Sequence, residues 1–149
     1  MTASAAEPTA DLVLLILQGA RDLIAKPGAW CQKHIATDSQ GRNWTGPFRQ
    51  ACALCGVGAI YATEEQLLPR FERFALLAAV ERCTDLLHAS VPGGHFPTWQ
   101  DQPERTQAEV VSAFEALVEY RRLETDRGTS SMEALEEAIR DQPYALMGE

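Results

Sequence analysis

Residues 50–63, with the sequence QACALCGVGAIYAT, contain no charged side chain. Their apolar side chains surround the helical wheel instead of forming one stripe, and a helix that is apolar all round is buried. Gly56 and Gly58 each cost about 1 kcal/mol relative to alanine inside a helix, so we expect close packing to compensate for them. The stretch predicts a central helix over residues 50–63, around which the rest of the chain packs.

The sequence on either side shows helical periodicity as well. Apolar residues recur at helical spacing over residues 9–26, with Thr9 as the expected N-cap. The clearest amphipathic pattern covers residues 69–90, where Pro69 suits a first helical turn. Both segments predict helices that bury one face against the central helix.

Two further helices are predicted from their starting sequences. Both starts are capping boxes, in which a hydroxyl and a glutamate three residues later satisfy each other's backbone amides: Thr106-Gln107-Ala108-Glu109 and Ser130-Ser131-Met132-Glu133. The first opens a helix over residues 106–124, and the second opens a short last helix. The fold class predicted is therefore all-α, with about five helices.

Residues 30–45 lack a helical pattern. The cluster Asp38-Ser39-Gln40-Gly41 in their middle is typical of a turn. A small β-hairpin over residues 30–45 and an irregular loop are both compatible with it.

The size and charge of the chain restrict its class. Its 149 residues suit a single domain, placed here over residues 1–149 with loose ends at 1–8 and 141–149. The longest apolar run, Leu12 to Leu17, is far shorter than the roughly 20 residues of a membrane helix. With 21 acidic and 13 basic residues the protein is acidic, and it lacks the clustered Lys and Arg that bind a phosphate backbone. We therefore expect neither a nucleic-acid nor a membrane partner.

The cysteines suggest a metal site. Four residues have the spacing of zinc ligands, in a C-x2-H pair and a C-x2-C pair: Cys31, His34, Cys52 and Cys55. The competing interpretation is that Cys52 and Cys55 are small apolar residues of the buried helix, in which case no cofactor is needed. Because no signal peptide precedes the cysteines, we expect reduced thiols and a cytoplasmic protein.

Catalysis by a cysteine is the second chemical hypothesis. Cys55 near a helix start could have its thiolate favoured by the helix dipole, and a base would have to be one of the three histidines. His95 lies in a Gly-rich loop near Asp101, so Cys55, His95 and Asp101 form the one triad that can be assembled. Nothing in the sequence brings these three together, and the balance favours a protein that is not an enzyme.

The loop before residue 106 carries the best candidates for a binding site. Trp99, Asp101 and Arg105 form a polar and aromatic cluster there. On one interpretation Trp99 packs and Asp101 caps the turn that Pro103 opens. On the other, Asp101 and Arg105 line a pocket as a ligand-facing pair.

Three stretches also match known signatures: Trp30-Cys31-Gln32; Cys55-Gly56-Val57-Gly58-Ala59-Ile60; and Trp99-Gln100-Asp101-x-Pro103-x-Arg105-Thr106-x-x-Glu109-Val110. In this order and spacing they resemble a bacterial and phage family known only as a domain of unknown function. The chain departs from the family pattern at Gln100, usually Asn, and at Glu104, usually Gly, while Cys52 is additional to it. The resemblance implies a small helical domain and no particular activity.

These observations favour one function over two others. The preferred hypothesis is a cytoplasmic, helical binding or regulatory module that acts through a protein partner or as a homodimer. The alternatives are a zinc-stabilised module that uses Cys31, His34, Cys52 and Cys55, and a cysteine-dependent enzyme that uses Cys55.

Overall fold

The computed structural model describes residues 11–127. Within them the chain forms five α-helices and one antiparallel pair of short strands, so the mainly α-helical class is confirmed. The helices are α1 (Leu12–Ala25), α2 (Gly56–Leu67), α3 (Arg73–Ala89), α4 (Phe96–Gln100) and α5 (Gln107–Arg127), and the strands are β1 (Ala36–Thr37) and β2 (Ala53–Leu54). The helix predicted from Ser130, and the ends at 1–8 and 141–149, lie outside the described residues. No helix in the described part is long and apolar enough to cross a membrane.

Helix α1 packs against three other helices, α2, α3 and α5. Its predicted apolar face is completely buried at Ile16, Leu17, Ala20 and Ile24. The helix begins after Asp11, whose carboxylate accepts the backbone N–H of Leu14 at 3.1 Å. The predicted cap at Thr9 is therefore wrong, since a carboxylate two residues later satisfies the free amide.

Helix α2 is the predicted buried helix, but it begins at Gly56 instead of residue 50. Its residues Ala59, Ile60 and Ala62 have no exposed surface, and it packs against α1, α3 and α4. Residues 50–55 are not α-helical: Gln50 ends a 3-10 turn, and Ala53 and Leu54 form β2. A short apolar run has the same pattern in a buried strand and in a buried helix, which is why the helix start was placed too early.

The small sheet joins the predicted turn region to the segment before α2. Residue Ala36 pairs with Leu54, and Thr37 pairs with Ala53. The turn after β1 forms as expected, with a single bridge between Thr37 and Asn43. The sheet thus contains half of the predicted hairpin at 30–45, while its second strand lies outside that range.

Helix α3 begins later than its apolar pattern predicted. Pro69 lies in a turn, and Glu72 is the N-cap, since its carboxylate accepts the N–H groups of Phe74 and Ala75 at 3.0 and 2.8 Å. A carboxylate that accepts two free amides at a helix start favours this later start. The buried face matches the prediction and includes Leu76, Val80, Cys83 and Leu87.

The last two helices carry the segment that contains the candidate binding residues. The capping box of α5 is confirmed in both directions: Thr106 N–H donates to Glu109 at 2.9 Å, and Glu109 N–H donates to the Thr106 hydroxyl at 3.2 Å. Helix α5 then continues to Arg127, beyond the predicted end at residue 124. Helix α4 occupies part of the region predicted as a loop, with His95 as its N-cap.

Candidate functional site

Gln100, at the end of α4, connects three segments that are far apart in the sequence. Its side chain is buried, and its Oε1 atom accepts the backbone N–H of Gly56 at 2.7 Å and the indole N–H of Trp30 at 3.1 Å. These donors belong to the first and second of the three signature stretches, and Gln100 belongs to the third. One amide oxygen therefore ties all three signatures together.

Further hydrogen bonds reinforce this contact. The side-chain amide of Gln32 donates to the carbonyl oxygens of Gln100 and Gln102, at 2.7 and 2.8 Å. The backbone N–H of Lys33 donates to Oδ1 of Asp101 at 2.9 Å. Lys33 has a φ of 71°, a left-handed conformation in which non-glycine residues are uncommon, and this bond to Asp101 helps to hold it. We call the set of Trp30, Gln32, Gly56, Gln100 and Asp101 the motif junction.

A cavity of about 260 Å³ lies beside the motif junction. Its apolar wall consists of Ile35, Val57, Phe96 and Pro97, and its polar wall consists of Lys33, His34, Cys55, Gln100 and Asp101. Binding pockets in proteins are commonly apolar with a small number of polar groups, and this cavity has that composition.

The three predicted binding residues divide between two environments. Asp101 lines the cavity, and its Oδ1 atom accepts from Lys33 and from the Gln100 amide. The carboxylate thus joins two segments, and the expectation that it caps the turn at Pro103 is wrong.

Trp99 and Arg105 form a separate packing unit. Trp99 is buried, and the guanidinium of Arg105 lies 4.0 Å from the centre of its ring, a cation–π geometry. The Nε of Arg105 donates to the Trp99 carbonyl oxygen at 3.0 Å, and Nη1 lies 3.5 Å from the Glu109 carboxylate. In these contacts Arg105 and Asp101 have different partners, which favours a packing role for Arg105.

The structure does not bring the four predicted zinc ligands into one cluster. Over residues 11–127, no group of three His, Cys, Asp or Glu side chains is placed to hold a metal ion. Cys31 and Cys55 lie on neighbouring segments, because Cys31 N–H donates to Leu54 at 3.0 Å, whereas the side chain of Cys52 is exposed. His34 contributes its carbonyl oxygen, not its ring, to the Cys31 thiol at 3.5 Å.

Only two of the three residues of the predicted triad lie at the cavity. Cys55 and Asp101 both line the cavity, but the histidine in its wall is His34. His95 instead caps α4 and stacks on His88, with the ring centres 5.4 Å apart.

The thiol of Cys55 is poorly suited to act as a nucleophile. Burial raises the pKa of Cys55, and the negative charge of Asp101 raises it further. Its Sγ atom accepts the N–H of Gly58 at 3.3 Å, which opposes this shift without reversing it. A protonated thiol at the start of α2 is a helix cap, not an activated nucleophile.

The exposure of the cysteines makes a direct prediction for alkylation by iodoacetamide at about pH 8. Cys52 is exposed, whereas burial raises the pKa of Cys31 from 9.0 to about 11 and that of Cys83 to about 12. Because the thiolate is the reacting form, we expect one fast adduct at Cys52, reaction at least about 100-fold slower at Cys31 and Cys83, and slower reaction at the buried Cys55 as well. Time-resolved peptide mass spectrometry measures these rates.

A Cys52→Ser variant serves as the control for this experiment and should lose the fast adduct alone. Unfolding in denaturant should make the alkylation rates of the remaining cysteines equal. Fast modification of Cys55 in the folded protein would contradict the assignment of this thiol as a protonated cap.

The fold and the site define a small, mainly α-helical protein with a cavity where three sequence signatures meet. The chain belongs to the family of unknown function DUF6197, whose family model matches residues 8–120. That range contains the whole motif junction and all of the cavity wall. No curated protein and no solved structure matches the chain.

Sequence reasoning missed several residues that build the site. The structural role of Gln32 and Gln100 was not predicted, nor was the contribution of Val57 and Phe96 to the cavity wall. A signal was present for the glutamines, since both stand inside signature stretches next to a residue already selected. No local pattern identifies the wall residues, because their neighbours across the cavity are distant in the sequence.

Proposed function

We propose that this protein is a non-catalytic binding module whose cavity receives one side chain of a protein partner. The observation that carries the proposal is the construction of the cavity: its walls come from the segments that the motif junction ties together. Lys33 and Asp101 belong to opposite segments, line the same cavity and are hydrogen-bonded to each other. Side chains that hold the segments together thus also shape a space for a ligand.

The dimensions of the cavity favour a side chain over a cofactor. Its volume of about 260 Å³ is smaller than that of typical small-molecule pockets, which occupy roughly 300–1,000 Å³. A single buried anchor that fills such a pocket is a common source of affinity in protein interfaces. Ile35, which is 45% exposed, lies in the same wall and offers apolar contact to the rest of the partner.

The chemistry of the wall supports binding more than catalysis. Cys55 supplies the thiol of the wall. Burial and the charge of Asp101 raise the pKa of this thiol and keep it protonated. Within residues 11–127, no hydrogen bond joins the ring of His34, the histidine of the wall, to the Cys55 thiol. A cysteine-dependent enzyme would need a base paired with that thiol.

The proposal is tested with capped amino acids as mimics of a partner's side chain. The probes are the Nα-acetyl, N-methylamide forms of leucine, phenylalanine and lysine, titrated into methyl-labelled protein. We expect at least one probe to shift the methyl resonances of Ile35, because this residue lines the cavity. If none of the three probes shifts them, the cavity is not a receptor for side chains.

Two matched variants locate the binding. Val57→Phe places a larger side chain in the cavity wall and should abolish the Ile35 shifts. Leu77→Phe makes a comparable change on the exposed face of α3 and should leave them unchanged. An equal response in both variants would place the probe on the surface outside the cavity.

A further inference from the structure

We infer that the side chain received by the cavity is a lysine, whose apolar stem lies along Val57, Phe96 and Pro97 and whose ammonium group binds Asp101. The inference rests on the proposed function, because it names the class of partner side chain for the same site. Two features of the cavity support it: the bonding state of the Asp101 carboxylate and the distribution of charge in the wall.

The Asp101 carboxylate is held in place by one of its two oxygens. Oδ1 accepts the Lys33 N–H at 2.9 Å and the Gln100 amide at 3.1 Å. Among residues 11–127, no donor reaches Oδ2, so a ligand can bind there without breaking an existing bond. An ammonium group is a compact charge that can bind a single carboxylate oxygen, whereas the planar guanidinium of arginine is best matched by two.

Asp101 is the carboxylate of the cavity wall, which also contains the basic residue Lys33. Burial is the main reason that the pKa of Cys31 and of Cys55 is raised, and the negative charge of Asp101 adds to the shift in the same direction. Lys33 contacts Asp101 through its backbone N–H, and within the described part of the chain no ion pair joins the Lys33 ammonium to that carboxylate. The whole protein carries a formal net charge of −8, which also favours the approach of a cation.

The rest of the wall suits the stem of a lysine. Long basic side chains commonly bury their methylene groups against apolar surface while the charged end reaches a polar partner. Val57, Phe96 and Pro97 supply the apolar surface, and Asp101 supplies the polar partner in the same cavity. A leucine or phenylalanine would fill the apolar part and leave Oδ2 of Asp101 without a donor.

The experiment compares the capped lysine probe with its Nε-acetylated form, which keeps the stem and removes the charge. Dissociation constants come from the Ile35 methyl shifts. A hydrogen bond to a charged group typically contributes enough for a tenfold change, so we expect capped lysine to bind at least about tenfold more tightly. Asp101→Asn keeps an oxygen that can accept from Lys33 and should remove this preference.

Increasing salt provides a second measurement that does not depend on a variant. The affinity for capped lysine should fall with ionic strength, while that for capped leucine should not. Tighter binding of free n-butylamine than of capped lysine would overturn the assignment to a partner's side chain and indicate a small amine ligand.

The outcomes separate this inference from the proposed function. If capped leucine or phenylalanine binds as tightly as capped lysine, and Asp101→Asn changes neither, the lysine assignment is wrong while the receptor function stands. If no probe shifts Ile35, both are wrong.

Discussion

Gly58→Leu should lower the free energy of unfolding by about 3 kcal/mol or more, near the upper end of the cost of overpacking a core. A Cβ atom at position 58 would overlap the carbonyl oxygen of Ile35. That carbonyl cannot move freely, because it accepts the N–H of Cys55 at 2.9 Å. The backbone itself is thus the obstacle, and a rotamer change of a neighbour cannot relieve the clash.

The smaller substitution Gly58→Ala tests the same contact more sharply, through the sign of the change in the free energy of unfolding. At a solvent-exposed position inside a helix, alanine is more favourable than glycine by about 1 kcal/mol. At position 58 we expect destabilisation instead, since the Cβ alone meets Ile35. Thermal and urea unfolding of both variants measure the effect, and a shift in Tm of about 10 °C is expected for Gly58→Leu.

Ala78→Leu is the matched control for this pair of variants. Ala78 lies on the exposed face of α3, where an added side chain meets solvent. Substitutions at such positions usually change stability by less than about 0.5 kcal/mol. A stabilising Gly58→Ala would show that Ile35 and α2 are not as close as the structure places them.

The contrast between α5 and α2 shows which parts of the fold a sequence predicts. The start of α5 was correct because the Thr106 and Glu109 bonds are local, three residues apart. The start of α2 was wrong because residues 53–54 pair with Ala36 and Thr37, far upstream. Local patterns predict capping and periodicity, whereas strand pairing depends on a partner that the pattern does not identify.

The site shows the same division. The third signature, with Trp99 and Asp101, was selected because an aromatic residue and a carboxylate in a short loop are chemically distinctive, and Asp101 lines the cavity. Its partners could not be predicted, since the bonds of Gln32 and Lys33 to this loop span 68 to 70 residues. The spacing of Cys31, His34, Cys52 and Cys55 suggested that they bind one zinc ion. Spacing along the chain does not determine whether side chains converge.

Gln100→Leu should destabilise the protein by about 2–4 kcal/mol, because it removes the acceptor that ties the signatures together. The substitution leaves the buried N–H of Gly56 and the indole N–H of Trp30 without their partner, and it removes a donor to Asp101. A buried donor that loses its acceptor costs the full desolvation of that group, whereas a new apolar side chain returns little at a site already surrounded by polar atoms.

A graded series around Gln100 separates the loss of this acceptor from a general loss of packing. Gln100→Asn keeps the amide but shortens its reach by one methylene, so we expect an intermediate cost of about 1–2 kcal/mol. Gln66→Leu, on the exposed side of α2, makes the same change of residue type and should be nearly neutral. Urea unfolding ranks the three variants. If Gln100→Leu is as stable as Gln66→Leu, the three signatures must be held together by packing alone, and the Gln100 amide cannot be the reason that they meet.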